Sequence, residues 1–195
     1  MARQWRRRRA RRESGATAIA PNRLARAFAV GAPNERWASD ATWIPTREGP
    51  LALAVVLDVG SRRVIGWATN PALTAALTHA ALTQALAQRR PVRGVLHHSD
   101  QGEEYKARCY RAACAAADLM LSMSRAGNCW DNAVVESFFA TLKTEELPAS
   151  PGGFATRSLA ETALFEYIEV FYNRQRRHSS LGYESPATYE AAFTP

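Results

Sequence analysis

Asp40, Asp100 and Glu136 are the residues of this 195-residue chain whose type and setting best suit chemistry. Asp40 falls inside Trp37–Thr46, a mix of aromatic and β-branched residues that reads as a strand, where aspartate is disfavoured. Asp100 follows the short apolar strand expected over Gly94–His97, in a Ser99-Asp100-Gln101-Gly102 loop. Glu136 sits near the start of a helix expected from about Asp131 to Leu147. Clusters of carboxylate oxygens suit hard cations such as Mg²⁺ or Mn²⁺, not zinc. Two such ions ~3.5–4 Å apart can clamp an in-line phosphoryl displacement, one activating the attacking oxygen and the other stabilising the leaving one. At ~100° per residue, Lys143 shares the helix face of Glu136, while Val134, Phe138 and Leu142 lie on the opposite side. A surface Glu and Lys on an amphipathic helix is the plainer alternative.

Other polar groups have competing roles. Asp58, at the end of the second expected strand, is either a further acid of the site or a turn residue beside Gly60-Ser61. Asp131 suits a helix N-cap better than a metal ligand. His97 and His98 either orient a catalytic group or are satisfied buried histidines. Cys109, Cys114 and Cys129 form no Cys-x-x-Cys pair and read as reduced thiols.

The elements that must position these acids follow from the chain's texture. Trp37–Thr46, Leu51–Val59 and Arg63–Thr69 are joined by short turns and read as an antiparallel meander, with Val64, Gly66 and Ala68 on one face of the third strand. An Ala- and Leu-rich helix from Pro71 to about Arg89, the Gly94–His97 strand, a helix over Tyr105–Ala117 and a fifth strand over Leu119–Ser124 come next, and Gly127-Asn128 forms a turn. Thr156–Asn173 reads as a helix with Leu164, Ile168 and Phe171 on one stripe, and Ser185-Pro186 starts a last short helix. Antiparallel strands first, then crossovers through helices, predict an α/β fold: a mixed five-stranded sheet with helices on both faces, in ribonuclease H-like order. The fourth strand can then lie parallel beside the first, placing Asp40 and Asp100 on neighbouring strands. The expected organisation is an Arg-rich disordered tail over 1–34, a catalytic core over 35–148 and a C-terminal helical extension over 149–195.

The formal net charge is +7, but residues 1–12 hold seven arginines and no acid, so residues 13–195 are formally neutral. The tail is either a solvated appendage or an arm that neutralises phosphates. No apolar run approaches the ~18–20 residues that a membrane helix needs, and no apolar segment follows the arginines, so the expectation is a soluble cytoplasmic protein.

Ordered motifs extend this reading. They are Trp37-Ala38-Ser39-Asp40-Ala41-Thr42, Leu57-Asp58-Val59-Gly60-Ser61, His97-His98-Ser99-Asp100-Gln101-Gly102, Trp130-Asp131-Asn132, Glu136-Ser137-Phe138-Phe139 with Lys143, and Tyr172-Asn173-Arg174 through Arg177-His178-Ser179-Ser180-Leu181-Gly182-Tyr183. From about Pro21 to Phe193 the chain resembles the catalytic core of DDE transposases of the insertion-sequence-three family, relatives of retroviral integrases, including the 35 residues between Asp100 and Glu136. The resemblance implies DNA transposition through metal-dependent strand cleavage and strand transfer, with Asp40, Asp100 and Glu136 as catalytic residues holding Mg²⁺ or Mn²⁺, two ions in all. It also implies Lys143 near transposon-end DNA, self-association, and action at the bacterial nucleoid. Arg174, Arg176, Arg177 and His178 form a basic patch that would meet phosphates, or a solvated helix end complementing the dipole. Family members usually carry helix-turn-helix segments before the core, so a separate helix-turn-helix product of the same element is an expected partner. Glu103-Glu104 depart from the family's usual neutral polar residues. Two other readings stay open: a non-catalytic remnant that only binds DNA or oligomerises, and a ribonuclease H-like nuclease of host function.

Overall fold

Strand formation in this chain follows where β-branched and small apolar residues concentrate, and the sheet they build carries both cores. The structure, a computed structural model, describes residues 19–91, 94–125, 129–147 and 152–193. The Arg6–Arg12 run, the expected Gly127-Asn128 turn and most of the expected Pro148–Gly153 loop lie outside them. Strands β1 (Arg36–Ile44), β2 (Leu51–Asp58) and β3 (Val64–Asn70) form an antiparallel meander. β4 (Leu96–Ser99) adds parallel to β1, and β5 (Met120–Met123) parallel to β4, giving the order β3-β2-β1-β4-β5. This is the mixed five-stranded sheet that the element order predicts.

β2 is buried along its whole length and feeds both faces. Leu53, Val55 and Leu57 join Ala38 and Ile44 in one core, and Ala52, Ala54 and Val56 join Trp37 in the other. Helices α1 (Ala75–Arg89), α2 (Glu103–Lys106) and α3 (Arg108–Ala116) accompany the second core. Helices α4 (Ala133–Glu145) and α5 (Arg157–Phe165), with the π-helical segment Glu166–Tyr172, cover the first. α1 starts at Ala75 rather than Pro71: Asn70 Oδ1 accepts from the Ala72 amide in a turn, and Thr74 caps the helix by accepting from the Leu77 amide.

β3 differs from simple alternation. Leu57 pairs with Val64 and Val56 with Gly66, leaving Ile65 as the extra residue of a bulge. Val64 therefore faces the α4 core, while Ile65 turns to the α1 core. Gly66 is where α1 approaches most closely: a Cβ there would stand 2.2 Å from the Ala81 carbonyl oxygen and 2.7 Å from the Ala85 amide nitrogen. Gly66→Ala should lower stability by ~1–3 kcal/mol through this overlap with backbone, measured by chemical denaturation; an unchanged midpoint would refute the close approach.

Two segments are more closely joined to the core than their sequences suggest. Leu24 is buried, and the Arg23 and Leu24 amides both donate to Ser122 Oγ, at 2.8 and 3.1 Å. Arg36 donates to the Ala27 and Ala29 carbonyls and Arg62 to that of Phe28. So residues 19–34, placed in the tail by their lack of periodicity, lie on the core; they are held by core side chains rather than by regular structure. At the other end, Ala160, Leu164, Tyr167, Ile168 and Tyr172 complete the α4 core. The π segment puts Tyr172, not Phe171, inward beyond Ile168, and Phe171 is exposed. α6 (Pro186–Ala191) is anchored through Glu190, which accepts from Ser61, Arg63 and Arg89.

Candidate active site

The parallel β1–β4 pair sets the geometry of the acids. Trp37 stands opposite His97 and Ala38 opposite His98, so Asp40 and Asp100 each lie two residues further along neighbouring strands. Asp100 is just past the end of β4, fixed by the Gly102 amide donating to its Oδ1 at 2.8 Å and by Gln101 Nε2 donating to the Ser124 carbonyl at 2.8 Å. Asp40 is half-buried and accepts from the Ala41 amide at 2.8 Å.

α4 brings the third acid alongside. Asn132 Nδ2 donates to the Ser39 carbonyl at 3.2 Å, and Lys143 Nζ donates to Thr42 Oγ1 at 2.7 Å. These ties bracket Asp40 on β1 and Glu136 on α4. The buried face of α4 is Val135, Phe138, Phe139 and Leu142, with Val134 at its edge. The apolar stripe is thus one position round from the expected Val134-centred one, and Glu136 and Lys143 are exposed beside it.

Electrostatics ties the group together. Burial, then the charges of Asp100, Glu136 and Glu104, push the Asp40 carboxyl up to about 7 against the opposing Ala41 hydrogen bond. Among the described residues, no three His, Cys, Asp or Glu side chains stand close enough together to hold a metal ion. The oxygen-only donor set still fits a hard cation: a carboxyl such as Asp40, raised by burial and by neighbouring charge, is what a divalent ion would ionise. Glu104 joins this cluster, and the sequence flags it only as a departure from the family pattern.

The competing groups settle into structural roles. Asp58 is buried and accepts from the amides of Asn34 (2.6 Å), Gly60 (2.9 Å) and Ser61 (3.2 Å), which makes it a turn residue. Asp131 is neither N-cap nor ligand. Its side chain, with no exposed surface, accepts from Arg125 (Nε, NH2 and the amide), Arg26 and Asn22 at 2.9–3.1 Å, and its pKa falls below the carboxylate range, first through the Arg125 hydrogen bond. Nothing in the sequence marks Asn22 or Arg125 as partners of Asp131, and the Trp130-Asp131-Asn132 motif does not show that Asn132 reaches Ser39; these contacts join residues distant in the chain or across a loop. His97 meets Tyr110 at 2.6 Å, and His98 lies between Ser122 and Ser124 at 2.8 and 3.1 Å.

Burial pushes His97 down to about 3 and His98 to about 4. It also lowers His178 to about 4, helped by Arg176 and Arg62. These histidines are neutral at pH 7, and their pKa values lie below the unfolded ~6.5, so the unfolded chain takes up protons first as pH falls. Stability should therefore be full above pH ~6.5 and drop between ~6.5 and ~4, by on the order of 1–3 kcal/mol per pH unit. Asp40, Asp58 and Glu146, all raised by burial first, oppose part of the loss. Denaturant midpoints across this range check the sign; stability that rises on acidification would refute it.

The expected basic patch divides. Lys143, Arg174 and Arg177 are exposed, and among the described residues Arg174 and Arg177 form no ion pair. Arg176 instead grips both oxygens of Glu145 at 2.8–3.0 Å. His178, neutral and edge-on to the Tyr172 ring, carries no charge to offer a phosphate.

Comparison with known proteins decides the family. Models of the integrase core domain match residues 31–129 and 117–186. The chain is 40% identical over 176 residues to the transposase for insertion sequence element IS904 of Lactococcus lactis, covering 90% of this chain and 69% of that protein. The chain belongs to the integrase core family of insertion-sequence transposases. This integrase core is also 46% identical to a 31 kDa insertion element IS600 protein of Shigella sonnei and 44% identical to the transposase InsF for insertion sequence IS3A of Escherichia coli. It covers 90% and 88% of its own length in those matches, and spans 64% and 59% of theirs. Among solved structures, the HTLV-2 integrase catalytic core domain in complex with magnesium superposes with a TM-score of 0.60 at 16% identity, over 83% of this chain and 99% of that one. The BIV integrase catalytic core domain gives 0.57 at 22% identity, over 82% and 95%. The fold of the integrase core is thus ribonuclease H-like. No helix among its described residues is long and apolar enough to cross a membrane.

Proposed function

We propose that this integrase core is the catalytic part of a DDE transposase that cuts DNA strands and joins them to target DNA, with Asp40, Asp100 and Glu136 as its metal-holding acids. The observation that supports the reading is the β1–β4 register, two residues beyond which Asp40 follows on β1 and Asp100 follows just past β4, while the Glu136 charge acts on Asp40. Bound Mg²⁺ or Mn²⁺, as two ions, would supply activation of the attacking oxygen and stabilisation of the leaving one. The chain's own residues position the reaction. Gly102 orients the Asp100 carboxylate, Asn132 and Lys143 lay α4 along β1, and the β1–β4 pair fixes the separation of the two aspartates. Lys143, Arg174 and Arg177 present exposed cations to phosphates, in a salt-dependent and sequence-blind way. DNA ends and target are the substrates. Paired ends call for self-association, a separate helix-turn-helix product would read the end sequence, and the site of action is the nucleoid.

The test is cleavage and strand transfer on labelled transposon-end duplexes with Mg²⁺ or Mn²⁺, with chelator as control. Products that appear with metal and vanish with chelator are expected. No product on any end substrate would favour a fragment that only binds DNA or oligomerises.

A further inference from the structure

A groove of about 560 Å³ runs along α4, between one edge of that helix and the C-terminal segment. On its α4 wall, Ser137 is the residue that follows Glu136 in the chain. Its far wall includes Arg176, Arg177 and Tyr183, and Arg62 closes one side. We propose that this groove holds a single strand of DNA that continues from the nucleotides at the acids, with a base against Tyr183 and a phosphate on Arg177 and Arg62; the inference rests on the DNA-processing role proposed above.

Four observations converge on this occupant. First, the lining contains three arginines and no carboxylate, so it favours an anion. Arg176 is engaged by Glu145, but Arg177 is exposed, and among the described residues Arg62 donates to the Val59 and Phe28 carbonyls and to no carboxylate. Second, Tyr183 is 71% exposed although aromatic, a ring standing free at the groove's mouth. Aromatic faces beside cations are the general means of holding single strands, at ~1–3 kcal/mol per stacked base. Third, Arg62 and Tyr183 both have left-handed backbones, with φ of 63° and 65°. Non-glycine residues pay for that conformation, and such strain gathers at ligand clamps. Fourth, the hydroxyls of Ser137, Ser179 and Ser180 lie along the lining as further partners for phosphate or sugar. The size falls within the ~300–1,000 Å³ of small-ligand pockets, which suits about one or two nucleotides.

The experiment measures binding by the full chain, in chelator, of a fluorescent end duplex that is blunt or carries a single-stranded overhang on either strand. The wild type should bind one overhang polarity about tenfold more tightly than the blunt duplex. Tyr183→Ala should reduce that preference at least threefold while blunt-duplex affinity changes less than the preference does; Arg177→Ala should weaken both blunt and overhanging DNA and still reduce the preference at least threefold, and the two together should erase it. Arg177→Lys should keep part of the preference, because it retains the charge. Equal affinity for blunt and overhanging DNA in the wild type, or a preference untouched by both substitutions, would overturn the inference. Cleavage of blunt ends is scored separately in the same preparations. Metal-dependent cleavage without overhang preference overturns the groove alone, whereas absent cleavage with overhang preference overturns only the catalytic reading.

Discussion

Replacing Glu136 with Gln should reduce metal-dependent strand cleavage by at least ~10²–10³-fold, the scale of removing one preorganised electrostatic partner of a transition state. The substitution keeps shape and removes charge. Glu136 is exposed, and the face of α4 that packs on the sheet, Val135, Phe138, Phe139 and Leu142, does not include it. Thermal stability should therefore hold within ~0.5 kcal/mol, as for surface substitutions in general. The same variant has a second readout. The Glu136 charge is one of those raising Asp40 to about 7 in the metal-free protein, so Gln should bring the Asp40 carboxyl down, as followed by carboxyl NMR titration. Lost cleavage with a lowered Asp40 pKa places Glu136 in the acid cluster. Full cleavage in the variant would remove it from the site, and lost cleavage with an unmoved Asp40 would point to a role elsewhere on α4.

The sheet was legible in the sequence because it depends on local texture, and the same texture singles out the three acids as candidates. A meander followed by crossovers fixes the topology, and the topology carries Asp40 and Asp100 along neighbouring parallel segments. What local texture cannot encode are contacts made across the fold. Asp131 reads as a helix cap because it precedes an apolar run, yet it is claimed by Arg125, Arg26 and Asn22, the last two more than a hundred residues away in sequence. Arg176 reads as part of a basic patch until Glu145, 31 residues earlier, takes its guanidinium. The bulge at Ile65 is hidden for the same reason: alternation predicts a face, but pairing with β2 decides it. Residues 19–34 show the converse, a segment without periodicity that is ordered because its backbone groups find partners on Ser122, Arg36, Arg62 and Asp58.

Asn173 offers the sharpest test of whether the C-terminal segment is part of the core or an appendage to it. Its side chain works as a piece of strand: Oδ1 accepts from the Val64 amide at 3.0 Å and Nδ2 donates to the Val64 carbonyl at 2.9 Å, while its own carbonyl accepts from the Ala187 amide at 2.8 Å. Asn173 and Val64 are both 1% exposed, so water cannot replace the lost partner. Asn173→Ala leaves one buried N–H and one buried C=O unsatisfied, and at ~1–3 kcal/mol for such groups the variant should lose ~2–4 kcal/mol. For a protein of this size that corresponds to a melting temperature lower by on the order of 5–15 °C. Asn173→Asp should not rescue it. The acceptor for Val64 N–H survives, but a carboxylate oxygen then faces the Val64 carbonyl in a buried site, which exchanges a lost bond for a repulsion. A single cooperative transition at lower temperature would mean that residues 152–193 melt with the sheet. A separate early transition, with the sheet's own midpoint unchanged, would mean that the segment is an independently melting addition and that the groove beside α4 opens without unfolding the acids.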